Sequence, residues 1–132
     1  MENNILLIED NPENLENFSE MLGLAGYNVL ESSNGERGIH IAENREIHLI
    51  ISDIKLPDIN GFDLLRYIKG NPKTKGIPFL FLSACIEKHA ISRSEILGAD
   101  AYLIKPCCMH KLLDTIDKVF LSYLSCKAFH NG

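Results

Sequence analysis

Leu49-Ile50-Ile51-Ser52-Asp53-Ile54-Lys55-Leu56-Pro57-Asp58-Ile59-Asn60-Gly61 is the stretch that decides the fold. It opens as a short apolar run, ends that run on a carboxylate at Asp53, and passes into a segment rich in Pro, Asp, Asn and Gly, each of which favours a turn. A short apolar run bounded by turn residues reads as a strand buried on both faces, the pattern of a parallel sheet.

Three other runs repeat the pattern. Ile5-Leu6-Leu7-Ile8 is followed by Glu9 and Asp10, Phe79-Leu80-Phe81-Leu82 by Ser83, and Tyr102-Leu103-Ile104 by Lys105 and Pro106. In an open parallel sheet ligands bind beyond the carboxyl ends of the strands, where the strand order reverses. Three carboxylates, a hydroxyl and an ammonium therefore converge on one shallow site.

Between the strands the spacing predicts helices, giving five strand–helix units. Strand 1, about Asn4–Ile8, leads to a helix with Pro12 in its first turn, Asn11 or Asp10 as N-cap, and an apolar stripe of Leu15, Phe18 and Leu22. Gly23 and Gly26 end it. A short strand at Val29–Glu31 precedes a helix near Glu36–Asn44. Strand 3, Leu49–Ser52, and its turn precede a helix with Phe62, Leu65 and Ile68 inward, stopped by Gly70-Asn71-Pro72. The fourth strand starts after Pro78 and ends at Ser83, and a weaker helix at about His89–Leu97 closes at Gly98. Ala101–Ile104 is the fifth strand, and Met109–Tyr123 the last helix. Alternating strands and helices give an α/β fold with a parallel sheet and helices on both faces. The expected order is 2-1-3-4-5, which sets strands 1 and 3 at the switch point.

The 132 residues suit one domain, residues 1–124, with 125–132 as a C-terminal tail or the start of a linker. A net charge of −5 argues against a dedicated nucleic-acid binder, and Lys69, Lys73 and Lys75 read as a solvated loop. No leader or membrane span is apparent. The four cysteines, Cys85, Cys107, Cys108 and Cys126, lack the spacing of a zinc site and point to a reduced, cytoplasmic chain.

Taken together, the acidic pair in Leu7-Ile8-Glu9-Asp10-Asn11, the run Ile51-Ser52-Asp53-Ile54-Lys55-Leu56-Pro57-Asp58-Ile59-Asn60-Gly61, the pair Ser83-Ala84, and Gly98-Ala99-Asp100-Ala101-Tyr102-Leu103-Ile104-Lys105-Pro106 resemble the receiver domain of two-component response regulators. Each piece alone is weak, and their order and spacing are specific. The resemblance covers about residues 4–122. It implies a flavodoxin-like (βα)5 three-layer sandwich, chemotaxis-regulator-like, that accepts a phosphoryl group on Asp53 from a sensor histidine kinase or histidine phosphotransfer protein. It implies Mg2+ (or Mn2+) held by Asp10, Asp53 and the backbone carbonyl of Lys55, with Glu9 acting through water. Ser83 and Lys105 would bind phosphoryl oxygens, Ser83 standing where many members carry Thr, and Tyr102 would be the aromatic switch partner of Ser83. Such a domain is not an enzyme in the ordinary sense, since it catalyses only its own phosphorylation and dephosphorylation. Pro106 is often preceded by a cis bond in this family, although a simple turn proline reads equally well.

The residue types suit that chemistry. A carboxylate attacks an anionic donor only if charge is neutralised, so phosphoryl transfer depends on positioning and electrostatic stabilisation. Mg2+ prefers oxygen ligands and commonly takes one or two carboxylates. Taken alone, Glu9-Asp10 reads as a helix cap, Ser83 as a strand end and Tyr102 as a half-buried strand residue. Asp58 and Asn60 suit turn and N-cap roles better than metal binding, and Asp100 a turn.

Lys55 and Cys85, two residues beyond Asp53 and Ser83, border the path of water to an acyl phosphate. Lys55 is expected to alter the lifetime of the phosphorylated state by pairing with a phosphoryl oxygen or with Glu9. By analogy, output passes through helix 4, strand 5 and helix 5, with Glu87, Lys88, Ser92, Arg93, Lys111, Asp114 and Lys118 as candidate contacts for a downstream effector, or for a phosphorylation-dependent homodimer. The alternative is a fragment of a longer regulator whose effector domain lies outside these residues. A phosphatase on this fold would need a cap insertion, which is missing, and a flavin binder would need a less acidic loop after strand 1.

Overall fold

A computed structural model describes the backbone of residues 3–131 and the side chains of residues 3–124. The elements in chain order are β1 (Asn4–Ile8), α1 (Pro12–Leu24), β2 (Asn28–Ser32), α2 (Gly35–Asn44), β3 (Leu49–Ser52), α3 (Gly61–Gly70), β4 (Phe79–Ser83), α4 (Lys88–Ile96), β5 (Ala101–Ile104) and α5 (Met109–Asn131). The strands form one parallel sheet in the order β2-β1-β3-β4-β5, as the sequence predicts.

Alternation along the strands divides the interior into two cores. Leu6, Ile8, Ile50, Phe79 and Phe81 face α2, α3 and α4, where Ala42, Phe62, Leu64, Leu65, Ile68 and Ala90 meet them. Ile5, Leu7, Leu49, Ile51, Leu80, Leu82 and Leu103 face α1 and α5, meeting Phe18, Leu22, Leu112, Ile116 and Val119. Burying one such side chain stabilises the fold by about 1.5–3 kcal/mol. The central strands can be apolar throughout because both of their faces are covered.

The boundaries differ from expectation in instructive places. β2 runs from Asn28 to Ser32, a residue longer at each end, because every residue of β1 from Asn4 to Ile8 takes a partner on it. Its polar ends hide this pairing from any local reading. α1 continues through Gly23 and stops at Gly26, whose φ of 98° belongs to a left-handed cap. The Gly26 amide donates to the Gly23 carbonyl and the Tyr27 amide to the Leu22 carbonyl. Gly98, with φ 102°, closes α4 in the same way, its amide donating to Glu95 and that of Ala99 to Ser94. α4 itself is shifted one residue toward the N-terminus relative to expectation, with Leu97 as its cap. α5 continues past Tyr123 to Asn131, since no Gly or Pro interrupts it. The Lys105–Pro106 bond is cis.

Leu64 is fully buried between α3 and the sheet. Leu64→Ala should lower the unfolding free energy in urea by about 2–5 kcal/mol. A loss under ~1 kcal/mol would contradict this packing.

Candidate functional site

Register brings the strand ends together. Ile8 pairs with Ser52, Ser52 with Phe81, and Ser83 with Ile104, so the residues that follow all leave the same edge of the sheet. Glu9, Asp10 and Asp53 each offer a carboxylate oxygen, and these atoms lie within 4.8 Å of one another. The N-cap of α1 is Asn11, whose Oδ1 accepts from the Asn14 amide at 3.0 Å. Capping therefore makes no demand on Asp10, which is exposed beside the buried Glu9.

Lys105 bridges the group. Its Nζ donates to Asp53 Oδ2 at 2.7 Å and to Glu9 Oε1. Glu9 Oε2 accepts from the Asn11 amide at 3.2 Å, so both oxygens of this carboxylate are engaged. Asp53 Oδ1 accepts from the Ile54 amide at 2.6 Å and, at 3.4 Å, from that of Lys55. The sequence carries no signal for the Ile54 contact, because it is made by backbone.

Burial pushes the Glu9 carboxyl above its ordinary range, outweighing the Lys105 ammonium and the Asn11 amide. Burial pulls Lys105 down, but its bonds to Asp53 and Glu9 more than reverse this, so the ammonium stays charged. With all three carboxylates ionised, the cluster carries three negative charges against one positive. Hard oxygen donors at this spacing suit a small divalent cation.

Ser83 is buried, and its Oγ accepts from the Cys85 amide at 3.2 Å. Asp53, Lys55, Ser83, Ala84, Cys85, Ile86 and Glu87 line one open recess over the cluster. The Tyr102 ring lies 6.0 Å from that of Phe81, and its hydroxyl donates to the Cys85 carbonyl at 2.7 Å. Tyr102 is thereby tied to the segment after Ser83. Lys55 borders the recess, but among the described residues its ammonium makes no ion pair. The pairing with Glu9 that the sequence allowed is absent because Lys105 and Asn11 occupy that carboxylate.

Around the expected output face, Glu87 pairs with His89 at 2.9 Å and Asp114 with Lys118 at 3.0 Å. The Arg93 guanidinium lies 4.5 Å from the centre of the Phe62 ring, toward α3. The turn and cap roles expected of the flanking polar residues are realised. Asn60 caps α3 through the Phe62 amide at 2.8 Å, and Asp58 accepts from the amides of Gly35 and Glu36 at the start of α2. Asp100 accepts from the Phe79 amide at 2.8 Å, joining the turn before β5 to β4.

A family model described as the response regulator receiver domain matches residues 5–117. The probable transcriptional regulatory protein SilR of Salmonella typhimurium is 41% identical over 110 residues, which are 83% of this chain and 47% of SilR. The polar-differentiation response regulator DivK of Brucella anthropi is 27% identical over 116 residues, 88% of this chain and 94% of DivK. The chain thus spans about half the length of SilR and nearly all of DivK. The crystal structure of a CheY-like receiver domain protein from Methanospirillum hungatei superposes with a TM-score of 0.87 at 26% identity, covering 95% of this chain and 98% of that one.

Burial, followed by the nearby Cys85 thiol, pushes the Tyr102 hydroxyl from 10.0 up to about 12. The folded chain therefore keeps this proton at a pH where the unfolded chain has released it. The resulting stability is full below pH 10 and is lost as the pH climbs toward 12. The unfolding free energy, measured by urea denaturation in steps across that window, should fall more steeply for the wild type than for Tyr102→Phe. Equal slopes would show that the hydroxyl does not hold its proton in the fold.

Proposed function

Because the chain belongs to the response regulator receiver domain family, we propose that Asp53 is its phosphoacceptor and that phosphorylation alters the α4–β5–α5 face. The donor is the phosphohistidine of a sensor histidine kinase or a histidine phosphotransfer protein. The observation that carries this reading is the Asp53 carboxylate itself, held on Lys105 and on the Ile54 amide beside Glu9 and Asp10.

In the step, a carboxylate oxygen of Asp53 forms a bond to phosphorus as the P–N bond to the donor imidazole breaks. The bonding pair stays on the imidazole nitrogen, which takes a proton from solvent. Lys105, already charged at 2.7 Å from Asp53, is positioned to follow the charge onto the phosphoryl oxygens. Ser83 lines the same recess and offers its hydroxyl to another of those oxygens. Mg2+ (or Mn2+) fits the donor set: Asp10, Asp53 and the Lys55 carbonyl would hold it, with Glu9 acting through water. When bound, the metal supplies neutralisation of the charge that gathers as the two anions meet. The chain catalyses only its own phosphorylation and, with water as acceptor, its dephosphorylation.

Output follows from the links described. Ser83 and the carbonyl acceptor of Tyr102 belong to one short segment leading to α4, so a group drawn to Ser83 acts on both. The face offers exposed Ile104 beside Lys111 to a partner protein. SilR, of which the chain spans about half, favours the alternative that this partner is an effector domain of the same polypeptide. DivK favours a separate protein, and the full reading frame decides between them. No helix among the described residues is long and apolar enough to cross a membrane, and a cytoplasmic setting is part of the proposal.

Incubation with acetyl phosphate should add one phosphoryl group, read by intact mass, in the presence of Mg2+ and not after chelation. Asp53→Asn should abolish the adduct. No adduct where a control receiver is labelled would count against Asp53 as acceptor. Lys55→Ala and Lys55→Asn should change the decay rate of the phosphorylated protein, because this unpaired ammonium borders the recess that water must cross. Unaltered decay in both variants would remove Lys55 from the mechanism.

A further inference from the structure

We propose that Asp58 is a positioning residue for the metal-binding side of this site. By closing the amino end of α2 it holds the outer half of the loop 54–60 and so steadies the Lys55 carbonyl that this loop carries. The inference rests on the phosphoacceptor reading above.

Asp58 Oδ1 accepts from the Gly35 amide and Oδ2 from the Glu36 amide, each at 2.8 Å. These bonds join residues 23 and 22 positions apart in sequence. They complete the helix start, because the Arg37 amide donates to Asn34 Oδ1 and the Gly38 amide to the Asn34 carbonyl. All four opening amides of α2 are thereby satisfied, two of them only by the loop. The loop also lies directly against the helix. A Cβ at Gly35 would stand 2.0 Å from Cγ2 of Ile59, so glycine is what lets the two segments meet.

The opposite end of the loop is equally fixed. The Gly61 amide donates to the Ile54 carbonyl at 2.7 Å, Lys55 bridges Asn60, and Gly61 lies close against the Asp53 carbonyl and the Ile54 backbone. This neck controls where the loop begins but leaves its outer half to be held elsewhere. Leu56 and Ile59 pack partly buried against the core, whereas Pro57 and Asp58 between them are exposed and gain little from packing. Among the described residues, the Asp58 bonds are the hydrogen bonds that tie the outer half of the loop to another element. A backbone carbonyl serves a metal only when its loop is held still, and Mg2+ tolerates little departure from octahedral geometry. Losing an outer contact that orients a metal ligand typically costs about 10–100-fold in affinity, and a contact that acts through the backbone of a loop costs less.

The test is calorimetric titration of the whole chain with Mg2+ alone, paired with urea unfolding, for wild type, Asp58→Ala, Asp58→Asn and Asp53→Asn. The expected result is a several-fold rise in the Mg2+ dissociation constant for Asp58→Ala. Asp58→Asn, which keeps one carbonyl acceptor for one of the two amides, should fall between it and wild type. Asp58→Ala that loses stability but binds Mg2+ as wild type does would overturn the proposal, since a cap serving the fold alone gives that result. Wild type that takes no Mg2+ would instead overturn the site reading, and this inference with it. Asp53→Asn separates the cases, because it should lose Mg2+ affinity whenever the site reading holds.

Discussion

Lys105 joins three strands through one ammonium. It leaves the end of β5, crosses β4, and reaches Asp53 after β3 and Glu9 after β1. Removing Lys105 from this largely buried group would leave Glu9 and Asp53 uncompensated, which is strongly destabilising. The upper edge of the sheet is therefore held by charge, and the positions of its other groups follow. Asp53 has one oxygen committed to Lys105 and the other to the Ile54 amide, which leaves the carboxylate little rotational freedom. Glu9 is committed on both oxygens, which turns Asp10 into the exposed member of the cluster.

One cation among three carboxylates leaves the site under-neutralised, and that imbalance is its working property. A dianionic donor group would meet repulsion here, so a divalent cation is a physical requirement of the proposed chemistry. The protein does not enclose the site. It holds the surrounding loops through helix starts instead: Asn11 caps α1, Asn34 caps α2 together with Asp58, and Asn60 caps α3. Each cap satisfies amides that the helix cannot, and each fixes a loop bordering the carboxyl edge of the sheet.

The carboxyl-end residues were legible in the sequence because strand ends and turn residues are local signals. Once alternating strands and helices are recognised, topology alone collects Glu9, Asp10, Asp53, Ser83 and Lys105. What was not legible depends on distance along the chain. The length of β2 comes from its pairing with β1, and its polar end residues Asn28 and Ser32 argue against a strand. The choice of Asn11 over Asp10 as cap, the engagement of both Glu9 oxygens and the Asp58 contact with α2 all depend on where separate elements settle. The Tyr102 hydroxyl finds a backbone carbonyl, an acceptor that every residue carries and no side-chain pattern marks.

Unequal anchoring of the helices explains why a change at this edge would be felt in one direction. α3 buries Phe62, Leu64, Leu65 and Ile68, while α4 buries only Ala90 and Ser94 and has no side-chain cap at Glu87. Elements with few buried contacts open at low free energy and are the ones drawn upon for conformational change. The segment between Ser83 and Glu87 connects the recess to this weakly held helix, and Tyr102 grips its middle at the Cys85 carbonyl. On the proposed reading, a charge arriving on Asp53 would pull on Ser83 at one end of that segment. The other end is α4, where the resistance is smallest, whereas Lys105 and the caps of α1, α2 and α3 hold the rest of the edge in place.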